Sequence, residues 1–339
     1  MSVITKKLLF ILIILFLNVE SFALVAPRSA ALGGRGFVKA SLRSACVVMT
    51  TVSDGLACHP ASLAMLEESQ FHSHFYFGSQ TSYLDDVTTL LEGKGSKETV
   101  ENLFTHTDEQ SVDSSIEVAY RTSKWAVGLL PMDLTYYSRT RNQALPQMNL
   151  LVAQSQSVAT QLGTYLGHDT FFGLQLRGVE RKFIAKDFSF ADVLSEGASK
   201  IFDPERQSAL YIEPGFIFQP DGQDWRPQYS VMISNLGIVD HKVESFPTNG
   251  ELNLGASVTA PTEIGKWQIG ISSLSHSQTK NFDDTLTLGT AYSIGVTDWL
   301  ASASKDSTRM GLLLRFRAMT AALIAQDHQE ISLQWGVSL

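Results

Sequence analysis

Short segments in which apolar and polar residues alternate recur from about residue 69 to the last residue of the chain. In the last segment, every second residue is apolar and the residues between are small or polar. Its apolar positions are Ile331, Leu333, Trp335, Val337 and Leu339. Because successive side chains of a β-strand point to opposite faces, this alternation predicts a strand with one apolar face and one small, polar face.

The alternation predicts fourteen strands, with twelve as the alternative count because segments 147–165 and 309–326 are the least regular. The predicted strands are residues 69–80, 114–122, 124–133, 147–165, 170–182, 207–219, 226–236, 250–260, 266–276, 283–294, 297–304, 309–317, 319–326 and 330–339. Short links between them alternate with mostly longer ones, such as 81–113 and 134–146. Bacterial outer-membrane barrels combine short periplasmic turns, longer extracellular loops and an even strand number. We therefore expect both termini on the periplasmic side.

Three features favour a membrane barrel over a soluble β-sandwich, whose strands would also alternate. The candidate inward-facing residues are small or polar, the chain ends on a strand, and tryptophans lie near strand ends, as in interfacial girdles. These tryptophans are Trp125, Trp225, Trp267, Trp299 and Trp335. After the N-terminal region no apolar run is long enough for a membrane helix, and only helices and closed barrels satisfy every backbone group in lipid. The predicted fold is all-β: a transmembrane antiparallel β-barrel over residues 69–339 in the outer membrane of a Gram-negative cell.

The first 23 residues have the pattern of a cleavable signal peptide. Lys6 and Lys7 precede an apolar run over residues 8–17, and small residues at Ser21 and Ala23 suit a cleavage site after Ala23. The alternative is a transmembrane anchor, but the run is about half of the ~20 residues that a spanning helix needs.

Composition limits the partners. The net charge of −8 argues against nucleic acid, because phosphate binding needs clustered Lys and Arg. The chain has two cysteines, Cys46 and Cys58. In an oxidising periplasm they could form a disulfide, and two free buried thiols are the alternative.

Residues 24–68 do not alternate and contain two distinctive stretches, LGGRGF at residues 32–37 and SDGLACHPASLA at residues 53–64. Glycines permit turns and close packing, and Pro60 suits a sharp turn. In order and spacing the stretches resemble the N-termini of FadL-type long-chain fatty acid porins and their PorV-like and TraF-like relatives. The residues assigned to this hatch motif are Leu32, Gly33, Gly34, Gly36, Asp54, His59, Pro60, Ala61 and Leu63. Three positions depart from the family. Asp54 is the single acidic residue where the family has an acidic pair, His59 replaces Asn and Ser62 replaces Gly. Residues 231–237 (VMISNLG) resemble a further recurrent piece, a strand that ends in QNLG.

The resemblance implies a fourteen-stranded barrel whose lumen holds residues 24–68 as a hatch. It also implies passive uptake of hydrophobic small molecules such as long-chain fatty acids. The alternative, taken from the PorV-like relatives, is a non-transporting barrel that is a partner or scaffold in protein export or surface attachment. The expected partners are outer-membrane lipid and either a hydrophobic ligand such as a fatty acid or a secreted or surface protein.

Several polar residues are candidates for the lumen lining: His72, His74, Arg177, Arg309, Arg315 and Arg317. His72 and His74 lie two residues apart and hence on one face of a strand, but two ligands do not make a zinc site, which needs three or four. The arginines could meet a substrate carboxylate. The favoured alternative is ion pairing with acids such as Glu117 and Glu213.

No nucleophile elbow, phosphate-binding loop, HExxH or Cys-x-x-Cys motif is present, so we expect neither an enzyme nor a cofactor or metal. Segment 81–113 is acidic and predicts a solvated loop. Segment 187–202 predicts a short amphipathic helix that either caps the barrel mouth or packs on its own strands.

Overall fold

The structure is a computed structural model that describes residues 36–52, 54–78, 84–94, 96, 110–141, 147–196, 201–221, 225–240, 250–276, 285–305, 307–326 and 330–339. The predicted signal peptide and motif residues Leu32, Gly33 and Gly34 lie outside these ranges. The helices are α1 Phe37–Leu42, a 3₁₀ helix Arg43–Val47, a 3₁₀ helix Pro60–Met65, α2 Leu84–Leu91 and α3 Phe190–Glu196. The strands are β1 Gln70–Phe77, β2 Gln110–Arg121, β3 Trp125–Arg141, β4 Gln147–Gly167, β5 Thr170–Ser189, β6 Glu205–Phe218, β7 Arg226–Ser234, β8 Leu236–Val239, β9 Glu251–Ala260, β10 Lys266–His276, β11 Leu286–Ile294, β12 Thr297–Ser304, β13 Thr308–Phe316, β14 Met319–Gln326 and β15 Glu330–Ser338.

The strands form one closed antiparallel barrel. From β1 to β7 and from β9 to β15 each strand pairs with its neighbours in the chain, β7 also pairs with β9, and β1 pairs with β15, so that the sheet has no open end. Strands β7 and β8 both pair with β6 and are separated only by Asn235, whose backbone has a φ of 55°. Counting them as one wall strand, the fifteen described strands give the fourteen that the alternation predicts, and the predicted fold class is confirmed.

The two faces of the wall differ as predicted. On β15, Leu333 and Trp335 are 49% and 57% exposed, whereas Gln334 between them is 2% exposed. On β9, the same contrast separates exposed Leu254 from buried Asn253. Since the sheet is closed, the exposed apolar face is the outside of the barrel and the buried polar face lines its lumen.

The five tryptophans share one end of the barrel. Trp125, Trp225, Trp267 and Trp299 each follow a short link between strands, and Trp335 lies beside the same rim near the end of β15. All five are exposed. The rim with the short turns therefore has the aromatic girdle that is typical of a membrane–water interface.

The wall is much taller on one side. Strands β3, β4 and β5 have 17, 21 and 20 residues, whereas β11 to β15 have 8 or 9. The predicted end of the third strand at residue 133 is wrong, because β3 continues to Arg141 and leaves a link of only five residues. The register between β3 and β4 shifts between Leu130 and Asp133, around Pro131. A β-bulge at this proline interrupts the alternation without ending the strand.

The tall part of the wall carries a second apolar cluster. On β4, Met148, Leu150 and Val152 have the same parity as the outward-facing Val158 and are buried with residues of α2 and α3. Val193 of α3 belongs to this cluster, so the helix predicted in 187–202 exists and packs on its own strands. The predicted loop 81–113 is only partly correct, since it contains α2 and the start of β2.

Within the described ranges, no helix is both long enough and apolar enough to cross a membrane.

The closing register can be tested with cysteine pairs. Phe75 and Trp335 are directly opposite at the β1–β15 seam. Opposite Cα atoms are ~4.5–5.5 Å apart, within the range for a disulfide. We expect the Phe75→Cys/Trp335→Cys protein to form this cross-link on oxidation, which would be measured as faster migration of the heat-denatured, non-reduced chain.

The matched control is Phe75→Cys/Leu333→Cys, because Leu333 is the partner of Phe77 and the diagonal separation of about 7–8 Å is too long. Cross-linking of the diagonal pair in place of the opposite pair would contradict the register.

Candidate functional site

Residues 36–66, here called the inner segment, cross the lumen. Helix α1 contacts β12 to β14, the 3₁₀ helix Arg43–Val47 contacts β9 to β11, and the 3₁₀ helix Pro60–Met65 contacts β4 to β6. These strands lie on opposite sides of a closed sheet, so the inner segment lies inside the barrel. None of its described residues belongs to a wall strand.

Glutamine side chains of the wall pair with the irregular backbone of the inner segment. Gln268 accepts hydrogen bonds from the amides of Thr50 and Thr51 at 3.0 and 3.1 Å. Gln268 and Gln228 both donate to the carbonyl oxygen of Val48, at 3.2 and 3.0 Å. Such partners are necessary because buried backbone groups outside a helix or sheet otherwise remain unsatisfied.

Gln161 and Gln334 complete this set. Gln161 donates to the carbonyl oxygen of Ala57 at 2.8 Å, and Gln334 accepts from the amide of Phe37 at 2.6 Å. Sequence analysis predicted a polar inner face but missed these individual roles. The available indication was the glutamine at an inward position of several separate strands.

Glycines of the wall provide the space for the inner segment. A Cβ atom at Gly173 would lie 2.1 Å from the amide nitrogen of Ala61, and one at Gly163 would lie 3.0 Å from that of Ala64. The other wall glycines that face the inner segment at comparable distances are Gly128, Gly215, Gly255, Gly270, Gly289 and Gly311. The backbone of the wall therefore touches the backbone of the inner segment at Gly163 and Gly173, and its side chains at the other glycines.

The two motif stretches meet at Asp54. Its carboxylate accepts from the amide of Val38 at 3.1 Å and from the side chain of Gln334 at 3.2 Å. Gly36 packs against both Asp54 and His74. Asp54 thus joins the start of α1 to the second motif stretch and to the wall.

The next residue, Gly55, has a φ of 65°, and a Cβ atom there would overlap the carboxylate of Glu117. Only glycine satisfies both conditions without strain. Glu117 in turn accepts from the amide of Leu56 at 2.5 Å and lies 3.9 Å from Nε2 of His74.

His59 explains one departure from the family motif. Its Nδ1 accepts from the amide of Ala61 at 3.2 Å and caps the 3₁₀ helix, while its Nε2–H donates to the carbonyl oxygen of Val231 at 3.2 Å. Pro60 occupies the first position of this helix, and Ala61 and Leu63 are fully buried. A neutral imidazole therefore caps the helix and binds the wall at the same time.

The environment of His59 opposes protonation. Its burial lowers the pKa from the ordinary 6.5 to about 4, although the hydrogen bond to Val231 acts in the opposite direction. A proton on Nδ1 would also remove the acceptor for the Ala61 amide.

Arg177 belongs to a buried polar cluster. It donates to Glu213 at 2.8 Å and to the Asn235 side chain at 2.6 Å, and its guanidinium lies 4.7 Å from the ring centre of Tyr211. The Asn235 amide donates to Glu213 at 3.0 Å, and its side chain donates to Glu251 at 3.1 Å. Arg177 is thus ion-paired, which is the favoured alternative of the sequence analysis. The role of Asn235 at the β7–β8 break was not predicted.

His72 is buried beside Arg121, which donates to its Nε2 at 2.8 Å and also to the side chain of Gln70. This nitrogen is therefore occupied as an acceptor. Among the described residues, no group of three or more His, Cys, Asp or Glu side chains is placed to hold a metal ion.

The remaining predicted arginines differ in position. Arg309 faces inward and donates to the carbonyl oxygen of Ala40 at 2.8 Å. Arg315 forms an ion pair with buried Asp298. The prediction for Arg317 is wrong, because β13 ends at Phe316 and Arg317 lies in the following turn, exposed and with a φ of 55°.

Cys46 and Cys58 are joined by a disulfide, with their Cα atoms 5.8 Å apart. The bond links the 3₁₀ helix Arg43–Val47 to the second motif stretch. Two small cavities flank it, of about 50 Å³ towards Asp54 and Arg121 and about 40 Å³ towards Arg177 and Glu213. Each has room for a few water molecules.

Comparison with solved structures finds other barrels. Over 90% of its length the chain is similar to a TodX deltaS2S3 mutant monoaromatic hydrocarbon channel, of which it covers 97%, with 9% identity and a TM-score of 0.49. It is similar over 91% of its length to the Ralstonia pickettii toluene transporter TbuX, covering 97% of that chain with 10% identity and a TM-score of 0.45. It is also similar over 81% of its length to CdiB from Acinetobacter baumannii, but spans only 60% of that chain, with 7% identity and a TM-score of 0.36.

No protein-family model and no curated protein matches the chain. The fourteen-stranded fold implied by the FadL-type resemblance is present.

Gly173→Ala is expected to displace the inner segment, because the new methyl group would overlap the backbone of Ala61. Overpacking of this kind costs about 1–3 kcal/mol. The measurement is hydrogen–deuterium exchange, which should become faster in residues 56–66.

The control is Gly178→Ala on the same strand, where a Cβ atom has no neighbour within 4 Å. Equal exchange in the two variants would contradict the close contact at Gly173.

Docking of the inner segment is expected to weaken as the pH falls from 6.5 towards 4. The pKa of His59 is lower when buried than when released, so the released form binds a proton first and the docked form is fully favoured only above 6.5. The free energy that favours docking falls by on the order of 3 kcal/mol over this range. It stops falling at the pH where the docked form also binds a proton. Protease sensitivity of residues 36–66 as a function of pH would measure it.

His59→Asn retains a cap acceptor but cannot titrate, so its profile should be flatter over this range. Identical profiles for the two proteins would exclude His59 as the titrating group.

Proposed function

We propose that the chain spans the outer membrane and admits small hydrophobic molecules, with residues 24–68 as a movable hatch. The observation that carries this proposal is that the inner segment fills the lumen without being part of the sheet. The barrel retains all its strand pairing if the inner segment moves, because the two bodies share no ladder hydrogen bond among the described residues.

The contacts that hold the hatch can exchange with water. They are chiefly hydrogen bonds between Gln and Ser side chains of the wall and backbone groups of the inner segment. A neutral hydrogen bond of this type contributes only about 0.5–1.5 kcal/mol net, because water replaces it on release. Such an interface permits movement more readily than a shared sheet would.

Movement of the hatch would uncover apolar side chains inside the barrel. Leu300, Leu313, Ile324 and Met232 face inward and are buried against the apolar side of the inner segment. Once uncovered, these residues would give the lumen an apolar strip beside its polar wall. This strip supports a hydrophobic substrate class, of which long-chain fatty acids are one member.

A non-transporting scaffold barrel is the second candidate. The observation in its favour is the disulfide-linked inner segment, which leaves cavities of only about 50 and 40 Å³ on either side of the bond. A filled lumen is what a barrel without cargo would have.

A disulfide between hatch and wall separates these candidates. The hydroxyl oxygens of Ser44 and Thr287 lie 2.8 Å apart, so cysteines at both positions are placed to bond. In cells that produce the Ser44→Cys/Thr287→Cys protein, we expect oxidation to lower oleate uptake to the level of cells without the protein. Reduction should restore uptake.

The controls are the single-cysteine variants, and the wild type with the same reductant, because the Cys46–Cys58 bond is also reduced. Full uptake by the cross-linked protein would exclude hatch movement. Wild-type uptake no greater than that of cells without the protein would exclude transport and leave the scaffold.

A further inference from the structure

The disulfide of the inner segment stands between the two small cavities of the lumen. The cavity of about 50 Å³ and the cavity of about 40 Å³ share four lining residues, Cys46, Leu56, Ala57 and Cys58. Each of the other lining residues belongs to one of these two cavities alone. Because the four shared residues border both spaces, they form the partition between the cavities, and the Cys46–Cys58 bond is part of it.

The two cavities lie at different heights in the barrel. The larger one is bordered by Arg121, the last residue of β2, and by Leu66, which is followed by exposed residues at the rim with the short turns. The smaller one is bordered by Arg177, which lies seven residues and therefore roughly 23 Å along β5 from Thr170 at the same rim. A line through both cavities thus runs from this rim into the lumen.

The line is bordered by polar side chains on both sides of the partition. The charged ones are Asp54 and Arg121 in the larger cavity, and Lys39, Arg177 and Glu213 in the smaller. Side chains of this kind replace part of the hydration shell of a small ion. Since each cavity has room for only a few water molecules, the solutes that fit are water and small inorganic ions and not a fatty acid.

The partition differs from the rest of this line in being apolar. Two of its members are held by the wall, because the amide of Leu56 donates to Glu117 at 2.5 Å and the carbonyl oxygen of Ala57 accepts from Gln161 at 2.8 Å. Cys46 and Cys58 instead join two separate stretches of the inner segment, the 3₁₀ helix Arg43–Val47 and residues 53–64. Breaking their bond removes the covalent bridge across the partition.

We infer that the Cys46–Cys58 disulfide closes a passage for water and small inorganic ions through the inner segment, and that its reduction opens this passage. A dithiol is the reductant: it is oxidised to its own disulfide, the S–S bond breaks, and both cysteines become thiols. In an oxidising periplasm the bond is intact and the passage is closed. The inference rests on the membrane placement in the proposed function but needs no movement of the hatch.

The test is the potassium chloride conductance of purified protein in planar bilayers. The oxidised wild type should be silent, and dithiothreitol should induce stepwise conductance. Cys46→Ala/Cys58→Ala lacks both sulfur atoms, so it should conduct without reductant and should not respond to it. Reduction of wild-type protein that is already inserted tests the same partition if this variant folds poorly.

Refilling the partition should close the passage again. Ala57 borders both cavities and is buried, so Ala57→Leu, added to Cys46→Ala/Cys58→Ala, places a larger side chain between them. We expect this triple variant to lose the conductance. The matched control is Ala321→Leu in the same background, because Ala321 has the parity of exposed Leu323 on β14 and lies on the outer face. This control should still conduct.

A hatch tether separates a passage through the inner segment from displacement of the whole hatch. In the Cys46→Ala/Cys58→Ala background, oxidised Ser44→Cys/Thr287→Cys links the 3₁₀ helix Arg43–Val47 to β11. The tethered protein should still conduct potassium chloride although its oleate uptake is lost. Loss of the conductance on tethering would overturn the inference, since the current would then come from a displaced hatch.

Two further results would also overturn it. One is a silent Cys46→Ala/Cys58→Ala barrel together with wild-type protein that stays silent after reduction. The other is an oxidised wild type that conducts as much as the alanine variant. Failure of the proposed function is distinguishable from both, because oleate uptake requires hatch movement and the ion conductance does not.

Discussion

Backbone pairing is the constraint on which the rest of this structure depends. The wall satisfies it by closing β1 onto β15, after which every wall strand has two neighbours. The inner segment has no such ladder, since its helices are short and irregular residues connect them. Its amides and carbonyl oxygens therefore depend on the side chains that the wall directs inward, among them Gln228, Gln268 and Gln334. The polar side chains of the lumen thus satisfy the backbone of the inner segment, as the strand ladders satisfy the backbone of the wall.

The strand pattern could be predicted from the sequence because each wall strand has one face towards the outside and one towards the lumen. Where both environments are uniform, as along β9 and β15, alternation is regular and even the parity of single residues is correct. The same argument placed His72, His74, Arg177 and Arg309 on the inner side. The fold was therefore accessible from local periodicity together with the requirement for closure.

The sequence was less informative where a bulge, a turn or a contact between distant elements determines the structure. Pro131 sits at a bulge, so alternation was lost although β3 continues. Arg317 continues the parity of β13 but lies in a turn with a left-handed backbone, which parity does not detect. The partners of Asn235 and Gln161 lie on other elements and depend on register across the barrel. For His59, the motif indicated only a departure from the family pattern. Its cap on the 3₁₀ helix and its contact with Val231 became visible only once the inner segment was placed against the wall.

The unequal height of the wall has a consequence for the surrounding bilayer. Strands of 8 or 9 residues, as in β11 to β15, are at or just below the ~9–11 that a tilted strand needs to cross the hydrocarbon region. Beside them the proposed membrane would become thinner, which is one of the ways in which a bilayer accommodates a short hydrophobic span. Next to β3 to β5 the wall instead extends well beyond the apolar layer. The molecule would therefore impose a thickness gradient around its circumference, with its most compressed lipids on the short flank.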